Sequence, residues 1–486
     1  MKRSKVLIAK LLFAVVALVV SLGFVFKRTP EKAVEKPNII FIFTDDQRYN
    51  TIHALGDDQV ITPHLDGLVK NGTTFSHAYN MGAWGGAVCV TSRAMLLTGM
   101  SVWDVYKEEK DYSKLYAKQG FWPQQLKKAG YETCKTGKWH VRQKPEAIFD
   151  HVVHERPGMP NQTPAGYNRP LSRTDTTWQP WDKKQEGFWK GGTHWTQVVA
   201  DDAIHYLDAA SKKDTPFFMY LAFNSPHDPR QAPKRWVDRY PVDDIKLPVS
   251  YLDDYPFKEE MGAGKGLRDE QLAPFPRTPY AVKKNIQEYY ASISYTDEQI
   301  GRILDALRKS GKLDNTYIFF TADHGLAVGH HGLMGKQSMF DHSMRSPLIV
   351  SGPGIPKGET RDQNVYLQDI MASTYELAGI KKPDHVYFHS LLPMIKDKNR
   401  KSAYSSIYGC YTQQQRMVRT DRYKMIVYPE ANKILLFDLV KDPEEMNDIA
   451  RVPANKAILK DLKKRLLEQQ AQLHDELDLT PQLVNL

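Results

Sequence analysis

Asn38-Ile39-Ile40-Phe41-Ile42-Phe43 (NIIFIF) runs without a break into Thr44-Asp45-Asp46-Gln47. A continuous apolar run of β-branched and aromatic residues reads as a strand covered on both faces, the habit of parallel strands packed between helices. The same plan recurs twice. Pro216–Phe223 (PFFMYLAF) runs into Asn224-Ser225-Pro226-His227, and Thr316–Phe320 (TYIFF) runs into Thr321-Ala322-Asp323-His324. Thr196–Ala210 and Lys284–Ser310 carry amphipathic helical periodicity. Strands alternating with helices predict an α/β sandwich.

Each of these strands ends in polar residues, and open α/β sheets bind ligands at the carboxyl edge. The pattern therefore delivers Asp45, Asp46, His227, Asp323 and His324 to one crevice, although they lie far apart in sequence. Any one of them alone reads equally well as a turn or a helix cap. Together they form the candidate site.

The remainder of the chain sets the frame. Its 486 residues exceed what one hydrophobic core usually supports, so two domains are expected. A first domain is placed at 36–398. Arg416–Val418, Tyr423–Tyr428 and Ile434–Leu439 read as short antiparallel strands and Asn455–Leu473 as a helix, which predicts a small α+β domain over 399–486. Lys144–Gly192 is polar and irregular, an insertion near the site. At the amino end, Lys2, Arg3, Lys5 and Lys10 precede an apolar run from Leu11 to Phe26, closed by Lys27 and Arg28. That is the pattern of an export signal. Residues 1–30 are a signal peptide, with Ser21 and Gly23 as small residues for cleavage, or an anchor through 7–26. Either reading puts the protein in the periplasm or outside the cell.

A formal charge of +9 is spread along the chain, and no helix-turn-helix, zinc finger or RNA-binding motif accompanies it, so a nucleic-acid partner is excluded. The three cysteines, Cys89, Cys134 and Cys410, have no C-x-x-C spacing and do not form a structural zinc site. An odd number leaves at least one thiol unpaired in an exported monomer, which makes one of them a candidate for chemistry.

The most informative segment is Cys89-Val90-Thr91-Ser92-Arg93, continuing through Ala94-Met95-Leu96-Leu97 to Thr98-Gly99. It resembles the C-x-P-S-R motif of sulfatases, in which the cysteine is oxidised to formylglycine. The resemblance extends over most of the chain. Phe43-Thr44-Asp45-Asp46-Gln47 is similar to the family's first metal segment, and Thr62-Pro63-His64-Leu65-Asp66 and Phe75–Tyr79 match its spacing ahead of the cysteine. Tyr131–His140 resembles the G-K-W-H segment and Ser225-Pro226-His227 the S-P-H segment. Asp323-His324-Gly325, His331-Gly332-Leu333 and Gly335-Lys336 through Phe340-Asp341 resemble the second metal and sulfate segment, and Leu436–Asp448 fits the carboxyl-terminal domain.

This resemblance implies an alkaline-phosphatase-like fold, a mixed and mostly parallel sheet between helices, and hydrolysis of a sulfate ester. It implies that Asp45, Asp46, Asp323 and His324, with residue 89, hold a divalent metal. The oxygen donors favour Ca²⁺, with Mg²⁺ open. It also implies that Arg93 orients residue 89, that Lys138 and Lys336 bind sulfate oxygens, that His140 acts as base, and that His227 protonates the leaving alcohol. A formylglycine-generating enzyme or an anaerobic sulfatase-maturating enzyme becomes a required partner. Two residues depart from the family. Thr91 stands where it has Pro or Ala, in the element read by the converting enzymes, and His330 stands where many relatives have an acid. Trp178, Trp181, Trp189 and Trp195 suit stacking on sugar faces or packing a local core, and on the first reading the substrate is a sulfated oligo- or polysaccharide. A phosphomonoester or phosphodiester hydrolase of the same superfamily, and a non-catalytic glycan-binding relative, remain as alternatives.

Overall fold

The computed structural model describes residues 36–158, 163–184 and 189–484. The expected signal or anchor at 1–30 lies outside the described residues. Pro37–Leu486 form one compact unit. Among the described residues, no helix is long and apolar enough to cross a membrane.

The strands, in chain order, are β1 (Asn38–Thr44), β2 (Thr73–Tyr79), β3 (Gly82–Ala83), β4 (Glu132–Trp139), β5 (His151–Pro157), β6 (Trp189–Lys190), β7 (Thr193–His194), β8 (Phe217–Ala222), β9 (Thr316–Ala322), β10 (Arg345–Ser346), β11 (Leu348–Ser351), β12 (Glu359–Tyr366), β13 (Ile407–Tyr411), β14 (Gln415–Arg419), β15 (Tyr423–Tyr428) and β16 (Lys433–Asp438). Four helices matter most: α1 (Val88–Thr98), α2 (Trp195–Ser211), α3 (Pro279–Lys309) and α4 (Lys456–Leu473).

The main sheet runs β10-β2-β11-β9-β1-β8-β4-β5, with β12 paired to β2. β1 is parallel to both β8 and β9, and β4 is parallel to β8 and β5. Antiparallel pairing enters through β11 and β10, so the sheet is mixed and mostly parallel, as expected. Every residue of β1 is buried because both faces are covered. Ile39, Phe41 and Phe43 pack with Trp122, Phe218 and Tyr220 on one side. Ile40 and Ile42 pack on α2 and α3 through Val199, Leu207, Ile300 and Ile303 on the other. Each such side chain contributes roughly 1.5–3 kcal/mol of transfer free energy. The register aligns the strand ends: Thr44 lies opposite Ala322 and Phe43 opposite Ala222. Beyond them the ladder continues, with Asp323 N–H donating to the Thr44 carbonyl and Asp45 N–H to that of Ser225, both at 3.2 Å.

The second sheet is β16-β15-β14-β13-β3, an antiparallel meander whose last neighbour, β3, comes from just before Cys89 and pairs in parallel. α4 joins the hydrophobic cluster of this sheet through Leu459, Leu462 and Leu466. The strands and helix expected between 416 and 473 are present within a residue or two. β3 is only two residues long and leaves no sequence pattern.

The stretch 144–192, expected to be irregular, contains β5. It is an edge strand, largely exposed, whose His, Glu and Arg residues hide the usual apolar signal but suit an uncovered edge. Trp178 is 3% and Trp195 is 7% exposed, each beneath an arginine, Arg169 and Arg156 respectively. These two rings pack the interior and are not open platforms for sugar.

Candidate active site

Successive side chains on an extended strand point to opposite faces, so Asp45 and Asp46 can meet only if the backbone turns between them. Asp46 makes that turn at φ 65°, a left-handed conformation uncommon outside glycine. It is held there from both sides: its N–H donates to Asp323 Oδ1 (3.1 Å) and its carbonyl accepts from the Tyr289 hydroxyl (2.6 Å).

α1 brings Cys89 in its first turn. Residues three and four further on share its face, which is the reason for the C-x-x-S-R spacing. Ser92 Oγ donates to the Asp323 carbonyl (2.7 Å), and Arg93 reaches Asp323 Oδ2 (3.1 Å) and Asp45 Oδ2 (3.6 Å). Thr91, two residues from Cys89, leaves that face. It is buried, and its hydroxyl has no hydrogen-bond partner among the described residues. β4 delivers Lys138, whose ammonium bonds Asp45, and then His140. Gly137 allows this approach, since at φ +88° a Cβ would stand 2.0 Å from the Ala222 carbonyl oxygen. Lys336 arrives from the loop after β9. Its Nζ lies 2.8 and 3.0 Å from the two oxygens of Asp46 and 3.7 Å from Cys89 Sγ.

The two histidines are oriented by their backbone. His324 Nδ1 is 2.9 Å from the Gly325 carbonyl, and His227 Nδ1 is 2.7 Å from that of Asp228. Each Nδ1–H therefore donates outward and each Nε2 faces the carboxylates: His324 at 3.3 Å from Asp46 and 3.6 Å from Asp323, His227 at 3.9 Å from Asp46. A ring nitrogen of His227 lies within 4.8 Å of Cys89 Sγ, and His140 and His227 both favour the ionised form of that thiol.

All three carboxylates are fully buried, where charge persists only if it is paired. Arg93, Lys138 and Lys336 supply the pairing. Burial would push Asp45 up, but Lys138 and Arg93 hold it below the usual carboxylate range. Burial and the neighbouring Asp45 push Asp323 up to about 7. Burial disfavours charge on His324, yet Asp323 and Asp46 raise it to about 9. Burial likewise opposes ionisation of Cys89, and Lys138 and Lys336 bring its thiol well below the ordinary value.

One ligand atom each from Asp45, Cys89, Asp323 and His324 lie within 4.8 Å of one another, and so do atoms of Asp45, Asp46, Cys89 and His227. Asp45 Oδ1 and His324 Nε2 are buried with no hydrogen-bond partner among the described residues. Buried carboxylate oxygens and an outward-tethered imidazole fit a hard divalent cation. Every residue expected at the site thus enters one cluster. The sequence did not single out Asp228, Arg268 and Asp269, which surround His227 and Lys336; only the position of Asp228 next to His227 hinted at it. His330, the other departure, sits 2.6 Å from Ser250 Oγ and lines, with His331 and His342, a cavity of about 440 Å³.

The sequence profile of the sulfatase family matches residues 37–380. The chain belongs to the sulfatase family. It is a sulfuric ester hydrolase. A second profile, that of the N-sulphoglucosamine sulphohydrolase carboxyl-terminal region, matches residues 329–472. This sulfatase is 28% identical to an arylsulfatase of Clostridium perfringens over 89% of its own length and 94% of the relative's. It is 27% identical to an ulvan-active sulfatase of Formosa agariphila over 95% and 87%. In fold it is similar to a phosphonate monoester hydrolase from Silicibacter pomeroyi, with a TM-score of 0.74 at 20% identity, covering 91% of this chain and 96% of that one.

Proposed function

We propose that this sulfatase removes sulfate from a sulfated carbohydrate, using formylglycine made from Cys89 as its nucleophile. The observation that carries the reading is the buried convergence of Cys89 with Asp45, Asp323 and His324, 3.7 Å from the Lys336 ammonium. Asp45, Asp46, Asp323 and His324 would hold Ca²⁺, with Mg²⁺ as the less suited alternative. A cation bound there supplies Lewis-acid activation and offsets negative charge.

The protein's own residues do the rest. A sulfate ester is anionic, so attack needs fixed positive charge around it. Lys138 and Lys336 bind the sulfate oxygens, and Arg93 fixes residue 89 against Asp323 and Asp45. The hydrated aldehyde at position 89 would supply the oxygen nucleophile, one hydroxyl losing its proton to the buried carboxylates beside it as it bonds sulfur and the bond from sulfur to the alcohol oxygen breaks. His227 gives that oxygen its proton. His140 takes the proton of the second hydroxyl as sulfate leaves and the aldehyde re-forms.

The carbohydrate reading is supported by the ulvan-active relative and by the match to the sulphoglucosamine sulphohydrolase region. The basic and apolar amino-terminal segment supports export to the periplasm or beyond, and a formylglycine-generating or anaerobic maturating enzyme completes the system. The test compares sulfate and phosphate release from one aryl leaving group and then screens sulfated oligosaccharides. Sulfate release that is lost in Cys89→Ala supports the reading. Faster phosphate release would favour a phosphoester hydrolase, and release from neither would favour a non-catalytic protein.

A further inference from the structure

Six buried or nearly buried charged groups form a closed ring of alternating sign beside Cys89. His227 Nε2 lies 3.9 Å from Asp46, and Asp46 lies 2.8 Å from Lys336. Lys336 lies 3.8 Å from Asp269 Oδ2. Arg268 Nη2 then bridges Asp269 Oδ1 at 2.5 Å and Asp228 Oδ1 at 3.2 Å, and Asp228 Oδ1 closes the ring 3.3 Å from His227 Nδ1. The carboxylate oxygens not used by Arg268 are also bonded: Tyr167 donates to Asp228 Oδ2 (2.7 Å) and Gln337 to Asp269 Oδ2 (2.9 Å).

We propose that Asp228, Arg268 and Asp269 are positioning residues that fix the leaving-group acid His227 and the sulfate-binding Lys336 relative to each other. The inference rests on the roles given to those two residues above. Its physical basis is the connectivity. Asp228 touches the acid and Arg268; Asp269 touches the sulfate lysine and Arg268; Arg268 touches neither reacting group. A planar guanidinium bonding two carboxylates fixes both distance and angle, which a point-charge ammonium does less well. Buried ion pairs do not by themselves imply added stability, whereas a catalytic group displaced by about 1 Å loses about 10²-fold in rate. The two ends of the ring act on different steps. Asp228 governs proton delivery to the alcohol, and Asp269 governs the site for the sulfate oxygens.

The test uses the mature, calcium-loaded enzyme with two aryl sulfates, 4-nitrophenyl sulfate and phenyl sulfate, whose leaving groups differ in their need for a proton. Asp228→Asn is expected to lower kcat at least about tenfold more on phenyl sulfate than on 4-nitrophenyl sulfate, with KM little changed. Asp269→Asn is expected to raise KM about tenfold on both, leaving their ratio of kcat values as in the parent. Arg268→Gln should show both effects, and Arg268→Lys should recover part of each. Equal losses on both substrates in all three neutral variants, with no division between kcat and KM, would assign the ring a structural role and overturn the proposal; so would parental kinetics. Variants that fail to fold are recognised by loss of the parent's unfolding transition, and the isosteric Asn variants and Arg268→Lys then decide. A parent enzyme that releases no sulfate from either ester overturns the proposed roles themselves, an outcome distinct from an active parent with undivided variants.

Discussion

Calcium added to the cation-free sulfatase should raise its unfolding temperature by a calculable amount. A ligand that binds only the folded state stabilises it by RT ln(1 + [L]/Kd), about 2.7 kcal/mol at a free concentration a hundredfold above Kd. Pro37–Leu486 is roughly 450 residues, and at about 2.1 cal/mol/K per residue its unfolding entropy is about 1 kcal/mol/K. The expected shift is therefore about 3 °C, read by scanning calorimetry in chelator and then in calcium. Asp323→Asn removes a donor charge from the cluster and leaves Arg93 facing Asp45 alone. A hundredfold weaker Kd at the same calcium leaves less than about 0.5 °C. Lys138→Ala works in the opposite direction. With its ammonium gone from Asp45, only Arg93 still faces that carboxylate and calcium meets a less compensated charge, so the variant should be less stable in chelator and shift further than the parent. Magnesium, which needs stricter octahedral geometry, should shift it less. Equal shifts in the parent and in Asp323→Asn would place the calcium elsewhere and refute the assignment.

Lys336→Ala removes one preplaced cation from the proposed sulfate site and should lower kcat/KM about 10²–10³-fold in steady-state assays. His194 is held neutral: Nε2 is 3.0 Å from the Gln231 carbonyl and Nδ1 accepts from Thr196 N–H at 3.1 Å, while burial pushes it down to about 4. The unfolded chain takes up that proton first as pH falls below about 6.5, so the contribution of His194 is complete above that pH and is lost as pH falls through about 4. His194→Asn, which keeps a capping acceptor, should flatten denaturant-measured stability over that window by about 3 kcal/mol. Asp475 receives both arms of Arg416 at 2.7 and 2.8 Å, with Arg416 fully buried. Asp475→Ala strands that charge and should cost about 3–5 kcal/mol in the same assay.

The central strands were legible in the sequence because burial on both faces leaves uninterrupted apolar runs. Their polar ends gave Asp45, Asp46, His227, Asp323 and His324 directly. The roles proposed for Arg93, Lys138, His140 and Lys336 rest on the family motif alone, because a lysine or histidine near a strand end carries no signal of its own. β5 was hidden because an exposed edge needs no apolar face, and β3 because two residues make no period. Arg268 and Asp269 were invisible for a different reason. They lie in an irregular segment and acquire meaning only from what lies across the site. The tryptophans near 178–195 misled in part, since an abundance of rings does not say whether they face solvent, and Trp178 and Trp195 face the interior.

The side chain at position 89 decides whether this constellation is a working nucleophile. Peptide mass spectrometry on protein matured in a host with a formylglycine-generating enzyme should find an aldehyde there, in proportion to the sites that turn over an aryl sulfate. A preparation that releases sulfate while residue 89 remains entirely thiol would contradict the account.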